Sequence, residues 1–285
     1  MKVYLKIFFE MGKVRISLPV ALSALAGFAL YSGELNGQGW WMAMGVFLMS
    51  CGSGAMNHWQ ERKTDALMPR TKLRPIPSGK VSSLQGALVV LLYLASGSLV
   101  LVFTNPPIAL ILSWLTLFFY NLVYTPLKKV SAFAVIPGSM VGALPPVIGW
   151  TAAGGEPFAE TILIVGTFFF IGQIPHFWLL LMLFGDQYKL AGLPSLNSIF
   201  SEVQIKRVTY TWILTTVASA LLVLFFVFSN RILLFLLLGY SVYLLISLTR
   251  SVLFQKDFKV RPAFFKLNFL YLFMMLFLIA DSLLR

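Results

Sequence analysis

Three oxygen-bearing side chains, Asn57, Glu61 and Asp65, recur at i, i+4 and i+8 directly after an apolar run. On a helix they project from one face. Such a row suits a hard divalent cation of the Mg2+ type, which takes carboxylates together with substrate phosphates. The tail that follows, Met68-Pro69-Arg70-Thr71-Lys72-Leu73-Arg74-Pro75, supplies three cations. Pro69, Pro75 and Pro77 end the helix and fix those cations in a loop. The combination reads as a diphosphate site at a membrane surface. The plain alternative is a basic loop in which two acids form solvated local ion pairs worth little. An unpaired carboxylate at a membrane boundary is costly, which favours the first reading.

Two further segments carry candidate groups. Gln173-Ile174-Pro175-His176-Phe177-Trp178 puts a Pro and a His inside an apolar helix, about 15 Å above Asp186 at 1.5 Å per residue. A lone polar residue at that depth makes His176 a functional candidate by default, or else a polar staple between helices. Asp186 either joins the metal set with Asn57, Glu61 and Asp65 or is a solvated helix end. Tyr124-Thr125-Pro126-Leu127-Lys128-Lys129 closes another apolar run, and its lysines serve as topology anchors or as point charges on phosphate. Gly138 and Gly142 form a small-xxx-small face that invites close helix packing.

The elements that must hold these groups are membrane helices. Hydrophobic residues make up 59% of the 285, charged residues 11%, and mean hydropathy is +0.85. So few charges cannot cover a water-soluble surface. Nine apolar stretches approach bilayer-spanning length, near 16–32, 39–56, 84–103, 107–127, 132–152, 161–184, 208–228, 232–249 and 264–281. They are continuous rather than alternating, which excludes an outer-membrane barrel. Placing the N-terminus in the cytoplasm gathers 20 of the 22 Lys and Arg on that side, leaving only Arg231 and Arg285 opposite. The C-terminus then lies outside. The net charge of +12 follows from this topology, and no nucleic-acid partner is needed to explain it. The lone Cys51 rules out a disulfide framework, and residues 1–32 read as a retained first span rather than a cleaved leader. The expected architecture is an all-α integral membrane protein of about nine transmembrane helices around a central cavity. It forms one polytopic domain over 1–285, with its longest cytoplasmic segments at 57–83 and 185–207.

Taken together and in order, these motifs resemble the UbiA superfamily of intramembrane prenyltransferases, and within it the protoheme IX farnesyltransferase (heme O synthase) branch. Asn57, Glu61 and Asp65 with the tail to Pro75 look like the first acidic motif and its M-x-R-T-x-x-R-P extension. Tyr124 to Lys129 is similar to the Y-x-x-x-K-R signature, and Gly142 to Trp150 looks like G-A-x-P-P-x-x-G-W. Pro175-His176-Phe177 and Tyr188-Lys189-Leu190-Ala191-Gly192-Leu193-Pro194 resemble the second region. The sequence departs at Glu61, where Asp is usual, at Gln187, where an Asp is expected before Tyr188, and at Ser195, where Met is usual.

The resemblance implies Mg2+ held by Asn57, Glu61, Asp65 and Asp186, and diphosphate held by Arg70, Lys72, Arg74, Lys128 and Lys189. It assigns Asp65, Glu61, His176, Tyr124 and Tyr188 to catalysis. The implied reaction moves a farnesyl group from farnesyl diphosphate to a vinyl group of heme b. A related prenyl transfer to another lipid-soluble aromatic or tetrapyrrole acceptor is the alternative. A non-catalytic heme-binding or transport protein is a further one, but its pathway would need charges deep in several spans. No Arg- and Ser-rich transit peptide precedes the first span, which favours a bacterial plasma (inner) membrane over an organelle, and the resemblance implies heme A synthase or terminal oxidase assembly downstream.

Overall fold

The computed structural model describes residues 2–194, 196, 199–254 and 258–285. Two short pieces, α1 (Lys2–Met11) and the turn Gly12-Lys13, precede α2 (Val14–Ser32) and α3 (Gly37–Gln60). A one-turn α4 (Arg62–Asp65) opens the first long loop, and α5 (Ser83–Thr104) returns from it. α6 (Pro107–Leu117) runs on through a π-helical segment, Phe118–Tyr124, into α7 (Thr125–Leu127). α8 (Val135–Gly138), α9 (Met140–Ala152), α10 (Glu160–Leu190), α11 (Glu202–Phe226), α12 (Arg231–Thr249) and α13 (Val260–Leu283) complete the chain.

Eight helices among the described residues are long and apolar enough to cross a membrane. They match eight of the nine expected stretches. The remaining one, 39–56, lies in α3, which is 24 residues long. Its Ser50, Ser53, Asn57, His58 and Gln60 lower its hydropathy, and several of these polar groups build the site described below. Large apolar side chains such as Leu88, Leu91, Phe235, Leu236 and Ile246 face outward, as lipid-facing surfaces require. The chain is an all-α membrane protein.

Inside, the core divides into two main clusters. One joins α10, α11, α12 and α13 with Ala26 and Leu30 of α2 and Trp150 of α9, and the other joins α2, α3, α5, α6 and α9. The tightest crossing is α2 on α9. A Cβ at Gly27 would collide with the carbonyl of Pro146, and one at Gly149 with the carbonyl of Ala24. Backbones this close gain dispersion over their full length, the main attraction available inside lipid. Gly138 and Gly142 also make close approaches, to the Tyr124 ring and to the Phe169 carbonyl.

At the end of the bundle remote from the first long loop, Asp281 fixes the α11–α12 connection to α13. Its buried carboxylate accepts from the backbone N–H groups of Ser229 (3.0 Å) and Asn230 (2.6 Å) and pairs with Arg285 (2.8 Å).

Candidate active site

α3 does not continue through the acidic row as one regular helix. It ends at Gln60, Glu61 takes φ −97, ψ 3, and α4 restarts at Arg62. The bonds Glu61 N–H to Asn57 O (2.9 Å) and Asp65 N–H to Glu61 O (2.8 Å) carry the i, i+4 register across the break. The three side chains therefore keep a common face, and all are buried: Asn57 is 2% exposed, Glu61 5% and Asp65 0%. Thr71 caps the following loop by donating from Oγ1 to Asp65 O (2.9 Å).

Each member of the row meets a cation. Lys128 pairs with Glu61 Oε1, and Arg74 Nη1 donates to Asp65 Oδ2 (2.7 Å). Lys13 Nζ donates to Asn57 Oδ1 (2.6 Å). Asp65 Oδ1 is buried with no hydrogen-bond partner, and Glu61 Oε1 faces Lys128 without hydrogen-bond geometry. Sequence reasoning counted Lys13 only as a topology charge. Its one sequence signal is the Gly12-Lys13 break just before an apolar run. The structure gives it a left-handed backbone (φ 48, ψ 44), the only positive φ on a described non-glycine residue. That conformation costs about 1–2 kcal/mol. Burial, with repulsion from Arg74 and Lys128, pushes the Lys13 ammonium down to about 7, against the pull of Glu61 and Asp65.

A π-helical turn aims the next element. Phe118–Tyr124 carries one extra residue per turn, so the faces on either side of it are re-phased. Asn121 and Thr125 then meet α3 while Tyr124 and Lys128 meet the acidic row. Asn121 Nδ2 donates to Ser53 O (3.1 Å) and Gln60 Oε1 (3.2 Å), and its Oδ1 accepts from Ser53 Oγ (2.6 Å). Asn57 Nδ2 donates to Thr125 Oγ1 (3.2 Å), which donates in turn to Tyr120 O (2.8 Å). Tyr124 is buried in a stack between Tyr120 (5.6 Å) and Phe177 (5.1 Å), with Lys128 Nζ 5.6 Å from its centroid. Asn121, Gln60 and Ser53 carried no chemical signal in the sequence, because their roles depend on which helix lies opposite.

The segment that begins at the end of α10 docks on the first long loop through other contacts. Arg70 lays its guanidinium over the Phe184 ring (4.6 Å), and its backbone N–H donates to Gln187 Oε1 (3.2 Å). Tyr188 packs with Met68, Ala191 and Leu193. Gln187, the departure from the expected Asp, thus ties the two segments together. Asp186, Lys189 and Lys72 are exposed, and none forms an ion pair among the described residues. Ser195 and residues 197–198 lie outside the described residues. His176 stands apart on α10, with Nδ1 2.9 Å from Asn268 Oδ1 on α13.

The profile of the UbiA prenyltransferase family matches residues 4–273 of this chain. A protoheme IX farnesyltransferase of Geobacter sulfurreducens is 38% identical over 180 residues, which are 63% of this chain and 66% of that protein. A similar match to Oleidesulfovibrio alaskensis covers 64% of its protein, so the chain spans just under two thirds of these relatives. The protoheme IX farnesyltransferase of Ruegeria pomeroyi is 32% identical over 98% of this chain and 90% of its own length. Among solved structures, a UbiA homolog from Archaeoglobus fulgidus bound to GPP and Mg2+ superposes with a TM-score of 0.73 at 14% identity, over 98% of this chain and 100% of that one. A digeranylgeranylglyceryl phosphate synthase structure gives 0.74 at 16% identity, over 99% of each chain. At those identities the structures share the fold.

Proposed function

The chain belongs to the UbiA prenyltransferase family, and from that premise we propose that it transfers farnesyl from farnesyl diphosphate to a vinyl group of heme b in a Mg2+-dependent reaction. The observation that carries the donor half is the buried acidic row with its unclaimed acceptor, Asp65 Oδ1. A buried carboxylate oxygen with no donor is costly unless a ligand completes it. The donor set, two carboxylates and one amide oxygen, fits Mg2+. The acceptor half rests on the relatives' names.

Asn57, Glu61 and Asp65 would hold the metal, and Asp186 joins them only if its segment turns inward. Bound Mg2+ would withdraw charge from the diphosphate as it leaves. Lys13, Lys128, Arg74 and Arg70 bind the phosphate oxygens and stabilise their developing charge, with Lys72 and Lys189 at the rim. The allylic C1–O bond breaks, and C1 bonds to the terminal vinyl carbon. Water adds to the resulting cation and loses a proton, giving the hydroxyethylfarnesyl group of heme O. Tyr124, Tyr188 and the apolar walls keep bulk water from the allylic cation until then.

The whole of 1–285 acts as one domain, with 57–83 and 185–207 as its active-site segments. It lies in a bacterial inner membrane with the N-terminus and the site cytoplasmic and the C-terminus outside, as the distribution of Lys and Arg supports. Heme A synthase or terminal oxidase assembly would take the product.

The test incubates membranes containing the protein with heme b, farnesyl diphosphate and Mg2+ and reads the hemes by mass spectrometry. Farnesylated heme is expected only with Mg2+ and is lost in Asp65→Ala, which still inserts. Full activity in that variant overturns the metal assignment. Folded protein that makes no farnesylated heme overturns the acceptor.

A further inference from the structure

We infer that the α12–α13 face at the active-site end of the bundle binds the phosphate of an anionic glycerophospholipid between Lys266 and Arg250, with an acyl chain in the adjoining groove of α12. Lys266 carries the first observation. It lies six residues past Val260, about 9 Å into a helix that is long and apolar enough to cross the membrane. Its ammonium donates to Ser247 Oγ on α12 and sits 5.3 Å from the Tyr243 ring centroid. An ammonium has three donors, and Ser247 takes one of them. No anion pairs with it among the described residues. A lysine that only marks topology snorkels to water, whereas this one turns onto the neighbouring helix. A cation within a span is expensive unless something pairs with it.

Arg250 supplies the second cation. It stands exposed at the C-cap of α12, three residues beyond Ser247, and side chains so spaced are neighbours one turn apart. At about 100° per residue, Arg250 falls between Ser247 on one side and Ile246 and Thr249 on the other. Leu245, Ile246, Thr249 and Arg250 line an open groove of about 470 Å³. The Lys266 ammonium, held on Ser247, is therefore on one flank of Arg250 and the groove is on the other. The Thr249 hydroxyl is already bonded to Tyr210 of α11, so the side-chain walls of the groove are apolar except at Arg250.

Charge selects the occupant. Residues 250–266 hold Arg250, Lys256, Lys259, Arg261 and Lys266 against one acid, Asp257, which neutralises one cation whichever it meets. Asp281 places the far end of α13 remote from the first long loop, so these cations gather at the active-site end. Basic pockets between spans at that level suit headgroup phosphates. A soluble anion satisfies the charge and leaves the apolar groove beside exposed Ile246 unfilled. A zwitterionic lipid fills the groove but brings a cation of its own. An anionic lipid meets both requirements.

The test purifies the protein in a neutral detergent and supplies phosphatidylglycerol and phosphatidylcholine of the same chains in equal amounts. Native mass spectrometry then reads the lipid retained. The wild type is expected to prefer phosphatidylglycerol. Lys266→Met and Arg250→Gln should each lower that preference about fivefold, and the two together about 30-fold. Arg250 is exposed, so its single variant reads the site even where Lys266→Met does not fold. Lys266→Arg keeps the cation and should keep the preference. So should Lys63→Gln with Lys80→Gln, which removes two exposed charges from the first long loop. Phosphatidylglycerol should also raise the melting temperature of the wild type but not of the Lys266→Met, Arg250→Gln pair, and inorganic phosphate should raise neither. An equal loss of preference in the loop control means diffuse surface attraction and overturns the inference. Undiminished preference in the Lys266→Met, Arg250→Gln pair, or equal stabilisation by inorganic phosphate, overturns it as well. None of these readouts needs turnover, so the proposed farnesyl transfer stands or falls separately.

Discussion

Lys13→Met separates the cost of the site from its use. Lys13 is held in a left-handed turn with its ammonium on Asn57, between Arg74 and Lys128 on one side and Glu61 and Asp65 on the other. Its fall from 10.5 to about 7 on folding corresponds to about 5 kcal/mol against the charged form. Below pH 7 both the folded and the unfolded chain carry the proton, so the penalty is present in full. Between pH 7 and 10.5 the unfolded chain binds more protons than the folded one, so stability rises with pH across that window. Met keeps an apolar stem, removes the charge and loses the charged hydrogen bond to Asn57, itself worth about 1.5–3 kcal/mol. Without Mg2+ or diphosphate, the variant should therefore be about 2–3 kcal/mol more stable at pH 7. It should also lack the rise toward pH 10.5, while prenyl transfer falls because a cation for the leaving group is gone. Unfolding in detergent micelles across pH 7 to 10, beside a transfer assay, reads both. Parallel pH profiles, or a variant less stable at pH 7, would refute the buried-cation argument.

Gly149→Ala should cost about 3 kcal/mol or more, since its Cβ meets the Ala24 backbone and α2 must move off α9. Gly239→Ala, where a Cβ meets nothing within 4 Å, should be neutral or slightly stabilising, and thermal unfolding of the pair checks the contrast. Asp281→Leu should lower stability by about 3–5 kcal/mol by stranding the Ser229 and Asn230 N–H groups and the Arg285 guanidinium. Asp281→Asn keeps one acceptor oxygen and should lose less, so equal melting temperatures for the two would sink the clamp.

The parts legible in the sequence were those fixed by one element at a time. Long apolar runs mark the helices whatever they pack against. The i, i+4, i+8 spacing of Asn57, Glu61 and Asp65 survived the Glu61 break because backbone hydrogen bonds carry the register through it. Glycines near 140 pointed to close packing, yet the tightest crossing uses Gly27 and Gly149, because the rotation of α2 against α9 decides which small residue meets a carbonyl. Lys13, Asn121 and Asp281 each act on a residue more than 40 positions away, and no local pattern marks them. The π-helical turn at Phe118–Tyr124 is a further case. It lets one helix end serve two neighbours, and a regular 3.6-residue reading cannot see the re-phasing.

The pairing of every acidic-row residue with a cation bears on how the site works under the proposed reading. Glu61 and Asp65 carry two negative charges, and Lys13, Arg74 and Lys128 carry three positive ones. The excess of one matches the net charge of a fully ionised diphosphate ester bound to one Mg2+, so the buried row is neutral when loaded, with the exposed Arg70 outside that count. Neutrality matters here because the row is buried, where an uncompensated charge is expensive. Without ligand, the lysines and the arginine stand on the oxygens that the metal would take. On loading, they need only turn from carboxylate to phosphate, and no charge has to be brought from solvent. The same arrangement explains why a buried lysine in a strained turn is kept although it weakens the fold. Its ammonium is costly only while the diphosphate is absent, and the Asn57 amide, being neutral, holds it in place without trapping it as a second carboxylate would.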